Sequence, residues 1–262
     1  MDMPERPIDW LVAPFAPIGL EALNDKAAML ERLDNKYVVP APALALAMSG
    51  FAQYFDVLEI GGRRAFTYDT CYFDDAGRGC YHDHHQGRRR RIKVRQRRYI
   101  DARLCYVEVK LKDRRGITVK KRLRTDYEQY GRLDAAALAH VEHSHRELYG
   151  ESFGRVLQPV LEMRYRRVTL VAREGGERMT IDHGICFLRD DGRYDTDPDM
   201  FVVETKSANG NGLADAVLRA LHQHPTAGCS KYCVGMGATG AVTRINRFRP
   251  ALRKLGALPR AA

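Results

Sequence analysis

No run of ~18 apolar residues occurs anywhere in the 262-residue chain, so no transmembrane helix is expected. The N-terminus also lacks the apolar stretch of a signal peptide: residues 2 and 5 are acidic, and prolines stand at 4, 7, 14 and 17. Six cysteines (Cys71, Cys80, Cys105, Cys186, Cys229 and Cys233) form no CxxC pair and no regular framework, which argues against a disulfide scaffold and against a zinc site. Reduced thiols are the simplest account of them. Low-complexity segments are missing as well. These absences lead to the expectation of a soluble, unexported, cytoplasmic protein.

What is present is an ordinary globular mixture, 45% apolar and 29% charged, in a chain long enough for one large domain or two small ones. The formal net charge of +10 points to an anionic partner without saying which. Much of that charge falls in residues 87–99, GRRRRIKVRQRRY. Read with the period of a strand, Arg89, Arg91, Lys93, Arg95, Arg97 and Tyr99 share one face, and the other face carries the only apolar side chains, Ile92 and Val94 among them. The result is a row of cations, one every ~7 Å, which is costly unless water or a polyanion balances it.

The same alternation recurs. Residues 103–112 set Tyr106, Glu108, Lys110 and Lys112 against Cys105, Val107, Val109 and Leu111. After a hairpin turn at 113–116, Thr118, Lys120, Arg122 and Arg124 oppose Ile117, Val119, Lys121 and Leu123. Further strands are expected at 65–73, 160–173, 178–182 (Arg178, Thr180 and Asp182 on one face) and 201–206, where Glu204 and Lys206 share a face. Helices are expected at 20–30, 42–53, 134–149 with Asp134 as N-cap, 210–222 and, strongly basic, 243–255. Residues 1–19 read as a loosely packed arm and 20–262 as the folded domain. His82, His84 and His85 read as a solvated turn, and His140, His143 and His145 as helix-surface or core-edge residues, rather than metal ligands. Ser230-Lys231-Tyr232 reads as a loop, and Tyr37 and Tyr99 as packing or wall residues.

Strands with cations on one face and apolar residues on the other could form an open sheet with one solvated face, or a barrel closed with its charges inward. The acids Asp34, Glu108, Asp182 and Glu204 lie on the charged faces. Carboxylates are hard-oxygen ligands for Mg²⁺ or Mn²⁺, which bridge phosphate oxygens. Cations for phosphates plus a few acids for metal suit polyphosphate chemistry better than a duplex backbone, and few exposed aromatics are interleaved for base stacking.

Taken in order, the motifs resemble the catalytic domain of the VTC (vacuolar transporter chaperone) family. They are Arg32-x-Asp34-x-Lys36-Tyr37, the Tyr-x-x-x-x-Phe-Asp strand ending at Asp74, and Arg91-x-Lys93-x-Arg95-x-Arg97-x-Tyr99. Val107-Glu108-Val109-Lys110, Lys120-Lys121-Arg122, Tyr165-x-Arg167, Arg178-x-Thr-x-Asp182, Glu204-x-Lys206 and Ser230-Lys231-Tyr232 follow, spanning about residues 30 to 235. The resemblance implies the triphosphate tunnel metalloenzyme fold, an α+β architecture with a closed antiparallel barrel of about eight strands flanked by helices. It implies a polyphosphate polymerase that moves the γ-phosphate of ATP onto a growing inorganic polyphosphate chain, with Mn²⁺ or Mg²⁺. On that basis Lys36, Arg95, Arg97, Lys110, Lys120, Arg122, Arg167, Arg178, Lys206 and Lys231 are the expected catalytic cations, with Lys93 added among those that hold substrate. Glu204 is the first expected metal ligand and Glu108 the second; the bland reading of both is an ion pair with neighbouring lysines. Related CYTH phosphatases open with Glu-x-Glu-x-Lys, where this chain has Arg32 and Asp34. An inorganic or nucleoside triphosphatase of the same tunnel fold, a nucleotide cyclase and a nucleic-acid-binding sheet are the alternatives, and ATP, inorganic polyphosphate, triphosphate or pyrophosphate are the expected partners. No nucleic acid and no membrane segment are expected.

Overall fold

Where the sequence alternates, strands form. The computed structural model describes residues 8–26, 33–113 and 116–258. Its elements in chain order are α1 (Asp9–Val12), β1 (Pro17–Ile18), α2 (Leu20–Lys26), β2 (Leu33–Pro40), α3 (Ala41–Phe51), β3 (Phe55–Leu58), β4 (Ala65–Asp74) and α4 (Gly79–Gln86). There follow β5 (Arg91–Tyr99), β6 (Leu104–Lys112), β7 (Thr118–Thr125), α5 (Ala135–Tyr149), β8 (Gln158–Ala172), β9 (Arg178–Arg189), β10 (Gly192–Asp195) and β11 (Met200–Ser207). The chain ends in α6 (Leu213–Ala220), α7 (Lys231–Ala238), a 3₁₀ turn (Asn246–Phe248) and α8 (Arg249–Lys254). Arg32 and the expected end of the first helix, 27–30, lie outside the described residues.

The main path of the sheet is β2-β11-β9-β8-β4-β5-β6-β7, antiparallel throughout, with β3 and β10 added on β8 and β9 and β1 parallel to β3. The path starts at β2 and stops at β7, and among the described residues no ladder joins those two edges. Among the described residues the architecture is therefore an antiparallel sheet with flanking helices, and the closed barrel that the resemblance implies is not confirmed by a ladder between its edges. Both free edges carry cations, Lys36 on one and Lys120 to Arg124 on the other, and such residues disfavour edge pairing. The sheet is nevertheless strongly curled. Five strand steps separate β11 from β6, about 24 Å in a flat sheet. Yet Lys110 of β6 interacts electrostatically with Glu204 and Lys206 of β11, and Lys112 with Asp34 and Lys36 of β2.

The convex face is apolar and helix-covered. Tyr37, Val39, Val168, Met179, Ile181 and Val203 pack under α1, α3 and α6, and Ile92, Val94, Val107, Val109 and Leu111 pack with Ala137 and Val141 of α5. Asp134 caps α5 as expected, its carboxylate accepting from the Ala137 amide at 2.7 Å. On the concave face, one end is filled by α7, the 3₁₀ turn and α8, which bury Val38, Tyr72, Leu161, Ile185, Phe187 and Val202. In β9 the concave face passes from Asp182 to Ile185 through a bulge, where Gly184 takes a φ of 57°. That one extra residue is what turns Phe187 inward.

Three local expectations change. Residues 81–86 form α4 rather than a turn, because the buried Asp74 carboxylate accepts from the amides of Cys80 (2.9 Å) and Tyr81 (3.0 Å) in its first turn. Lys231 and Tyr232 open α7 rather than lying in a loop; Ser230 is its N-cap. The proline-rich start, read as loosely packed, buries Ile8, Leu11, Val12 and Phe15 from residue 8 onward, because its apolar residues recur at helical spacing.

Candidate active site

The uncovered part of the concave face is charged, and the strand registers set it out in rungs. Across β5, β6 and β7, Lys93, Lys110 and Lys120 align; next come Arg95, Glu108 and Arg122; then Arg97, Tyr106 and Arg124. On the far side, Glu204 pairs in register with Lys36 and with Thr180, Lys206 with Asp34 and with Arg178, and Arg167 with Asp182.

Three buried carboxylates organise these cations. Glu108, 0% exposed, accepts from Arg95 Nε at 2.7 Å, pairs with Lys120, and has Arg97 at 3.9 Å. Burial alone would raise its pKa; Arg95, Arg97 and Lys120 outweigh it and hold the group well below the usual carboxylate range. Asp182 takes a bidentate pair from Arg167 (2.5 and 2.8 Å) and a second partner in Lys231, which together overcome burial and lower it to about 2. Glu204 pairs with Lys206 and, at 3.5 Å, with Lys36, and Lys206 also reaches Asp34 at 3.2 Å. Against the cost of burial, Lys36, Lys206, Lys110 and Arg167 keep Glu204 ionised.

The lysines tell the converse story. Burial, followed by Arg95, pushes Lys110 well below its usual range; burial also lowers Lys93, and it brings Lys120 down to about 8 against the pull of Glu108. Cations outnumber acids here, and an added polyanion would relieve that excess.

Two outlying polar nodes fix the elements that carry these groups. Asp74 also accepts from the Tyr232 hydroxyl at 2.5 Å, while Ser230 Oγ accepts from Lys93 at 3.0 Å. Thus the Phe-Asp end of β4 sets the N-terminus of α7, and with it Lys231. Asp215 of α6 accepts from Tyr37 (2.5 Å), Asn35 (2.8 Å) and Thr205 (2.9 Å), bracing β2 against β11 from the convex side. Tyr37 is therefore a packing residue that faces away from the charges.

Among the cations expected from the sequence, Lys36, Lys93, Arg95, Arg97, Lys110, Lys120, Arg167, Lys206 and Lys231 share this cluster through the contacts above. Arg178 stands opposite Lys206 in register, and Arg122 is exposed at the β7 edge. The alternation left unremarked an arc of rings on the same face: Tyr165 stacks on Tyr68 (5.3 Å), Tyr68 meets Tyr99 edge-on (5.0 Å), and Tyr99 meets Tyr106 (5.9 Å). Its signal was present, since Tyr106 has the parity of Glu108 and Lys110.

For a divalent metal, the two candidate acids differ. Both are ion-paired, Glu108 with Arg95, Arg97 and Lys120 and Glu204 with Lys36 and Lys206, but Glu108 has no further oxygen donor facing it across the ladder, where it meets Arg95 and Arg122. Glu204 lies opposite Thr180, whose buried hydroxyl has no hydrogen-bond partner among the described residues, and Lys206 links it to Asp34. Hard-oxygen donors near a free hydroxyl fit Mg²⁺ or Mn²⁺ when substrate phosphates complete the set. Among the described residues no group of three or more His, Cys, Asp or Glu side chains could hold a metal unaided.

A family model described as the VTC domain matches residues 31–239. The chain is also similar to a candidate adenylyl cyclase from Hippeastrum described as having a dominant triphosphatase activity (15% identity, TM-score 0.47, covering 83% of this chain and 100% of that one). It is similar as well to a candidate adenylate cyclase from Bacillus halodurans (10% identity, TM-score 0.47, 75% and 93% covered). No curated protein matches it. No helix among the described residues is long and apolar enough to cross a membrane.

Proposed function

Because the chain belongs to the VTC domain family, we propose that it is a polyphosphate polymerase that transfers the γ-phosphate of ATP to the end of a growing phosphate chain. The observation that carries this reading is the excess of cations, most of them half-buried, over the buried carboxylates Glu108, Asp182 and Glu204 on one curled face. A linear polyanion supplies the missing negative charge, and the curl lets the sheet surround it as a tunnel whose slot lies between β2 and β7.

In this reading Arg95, Arg97, Arg167 and Arg178 hold phosphate oxygens through forked contacts, and Lys36, Lys93, Lys110, Lys120, Lys206 and Lys231 act as mobile point charges along the chain. Arg122 and Lys120 stand at the slot. Glu108 and Asp182 keep the arginines and Lys231 aimed; a phosphate competes with each carboxylate for the same guanidinium. Glu204, with Asp34 and Thr180 beside it, would hold a divalent cation, which supplies charge neutralisation at the transferring phosphate. Phosphoryl transfer asks for alignment and charge stabilisation more than for a protein nucleophile, so no Ser, Cys or His need take part.

The test is to incubate the pure protein with ATP and Mn²⁺ and size the products. A polymerase yields ADP with phosphate in acid-labile chains. Orthophosphate alone would instead make it a triphosphatase of the same fold.

A further inference from the structure

All the charged rungs hold phosphates in the reading above, and none of them distinguishes a nucleotide from inorganic triphosphate. The arc of four tyrosines runs from the buried interior to the edge of that same face. Tyr165 and Tyr68 are 1% and 8% exposed, whereas Tyr99 and Tyr106 are half-buried. Arg122 lies over the Tyr106 ring at 5.1 Å. Arg95 on its own rung and Arg97 and Lys120 on the rungs to either side all share the Glu108 carboxylate, but among the described residues Arg122 takes no acidic partner. A planar cation uncommitted to any carboxylate, set over a half-open tyrosine face, presents the two surfaces on which nucleobases stack.

The position suits such a ligand. Tyr106 lies two residues beyond Glu108 on β6, about 7 Å along the strand from the rung of Arg95. Phosphates held by Arg95 and, one rung further along, by Lys93 and Lys110 would thus leave an attached nucleoside at the ring pair, where Arg97 and Arg124 flank Tyr106 in register. We infer that Tyr106, flanked by Tyr99 and Arg122, is the nucleobase platform of this site and gives it a preference for nucleoside triphosphates over inorganic triphosphate. The inference rests on ATP being the phosphate donor. It runs against charge alone, because inorganic triphosphate carries more ionisable oxygen than ATP and would otherwise bind at least as tightly.

The experiment is equilibrium binding of ATP and of inorganic triphosphate to the full chain, without divalent metal so that neither turns over. The expected result is a preference of roughly tenfold for ATP in the natural protein, from the usual strength of base–aromatic stacking. Tyr106→Phe keeps the preference, whereas Tyr106→Leu brings the ratio near one mainly by weakening ATP. Equal binding of the two ligands by the natural protein overturns the inference without need of any variant. So does a Tyr106→Leu protein that loses both ligands to the same degree, which would make the ring a packing residue. An ATP preference that persists in a protein forming no phosphate chains would leave the platform standing and remove the polymerase; failure to bind either ligand removes both.

Discussion

The concave face of the sheet has two ends built on the same alternation and put to opposite uses. Under α7 and α8 the inward positions are Val38, Leu161, Ile185, Phe187 and Val202, all buried in one apolar cluster. A few residues along the same strands, the inward positions become Lys36, Arg167, Asp182, Glu204 and Lys206. The switch follows the helices: where a helix covers the face the strand is apolar, and where none does it is charged or, along the tyrosine arc, aromatic. Ser230, Lys231 and Tyr232 stand on the border, since α7 packs on the apolar end while Lys231 reaches into the charged one and pairs with Asp182. The apolar end is thus the foundation that aims the charged end.

The comparison breaks most visibly at its apolar side. Phe187→Ala removes a 1% exposed ring beneath α7 and should cost about 3–5 kcal/mol of stability, read as a shift of the urea midpoint. At the charged side, Glu204→Gln should leave the protein folded, at a lower midpoint because Lys36 and Lys206 lose their partner, while lowering metal-dependent turnover of ATP about a hundredfold. Unchanged turnover across a Mg²⁺ and Mn²⁺ titration would make Glu204 only an ion-pair partner for Lys36 and Lys206.

Two pH effects sharpen the contrast further. The Asp182 carboxyl is lowered from 3.8 to about 2, so its pairing stabilises the fold fully above the unfolded value and is lost as pH falls through the folded one. That amounts to about 2 kcal/mol between pH 4 and 2, and Asp182→Asn should flatten this part of the stability profile. Lys120, brought down to about 8, is a cation that the free enzyme loses as pH rises past 8. The ratio kcat/KM for ATP should therefore fall several-fold above that pH, and Lys120→Arg should remove the step.

Much of this was legible in the sequence because period-two alternation is a direct print of a sheet with two different faces. The strands at 91–99, 104–112 and 118–125 and the cap at Asp134 follow from that print and from local chemistry alone. What was not legible depends on distance in the fold. The opening of the sheet between β2 and β7 is a matter of ladder closure, which side-chain parity does not encode. The helix after Ser230 has the glycine-rich sequence KYCVGMGA and little propensity of its own; packing against Leu161 and Phe187 holds it. The work of Asp74 and Asp215 was hidden because their partners, Tyr232 and Tyr37, lie 158 and 178 residues away.

The central claim is that the charged end holds several phosphates in line. Titrating the protein with phosphate, pyrophosphate and triphosphate at one fixed salt concentration tests it most directly. Affinity should climb at each added phosphate, as successive rungs engage. A flat series, or tighter and steeply salt-dependent binding of an oligonucleotide than of triphosphate, would contradict it.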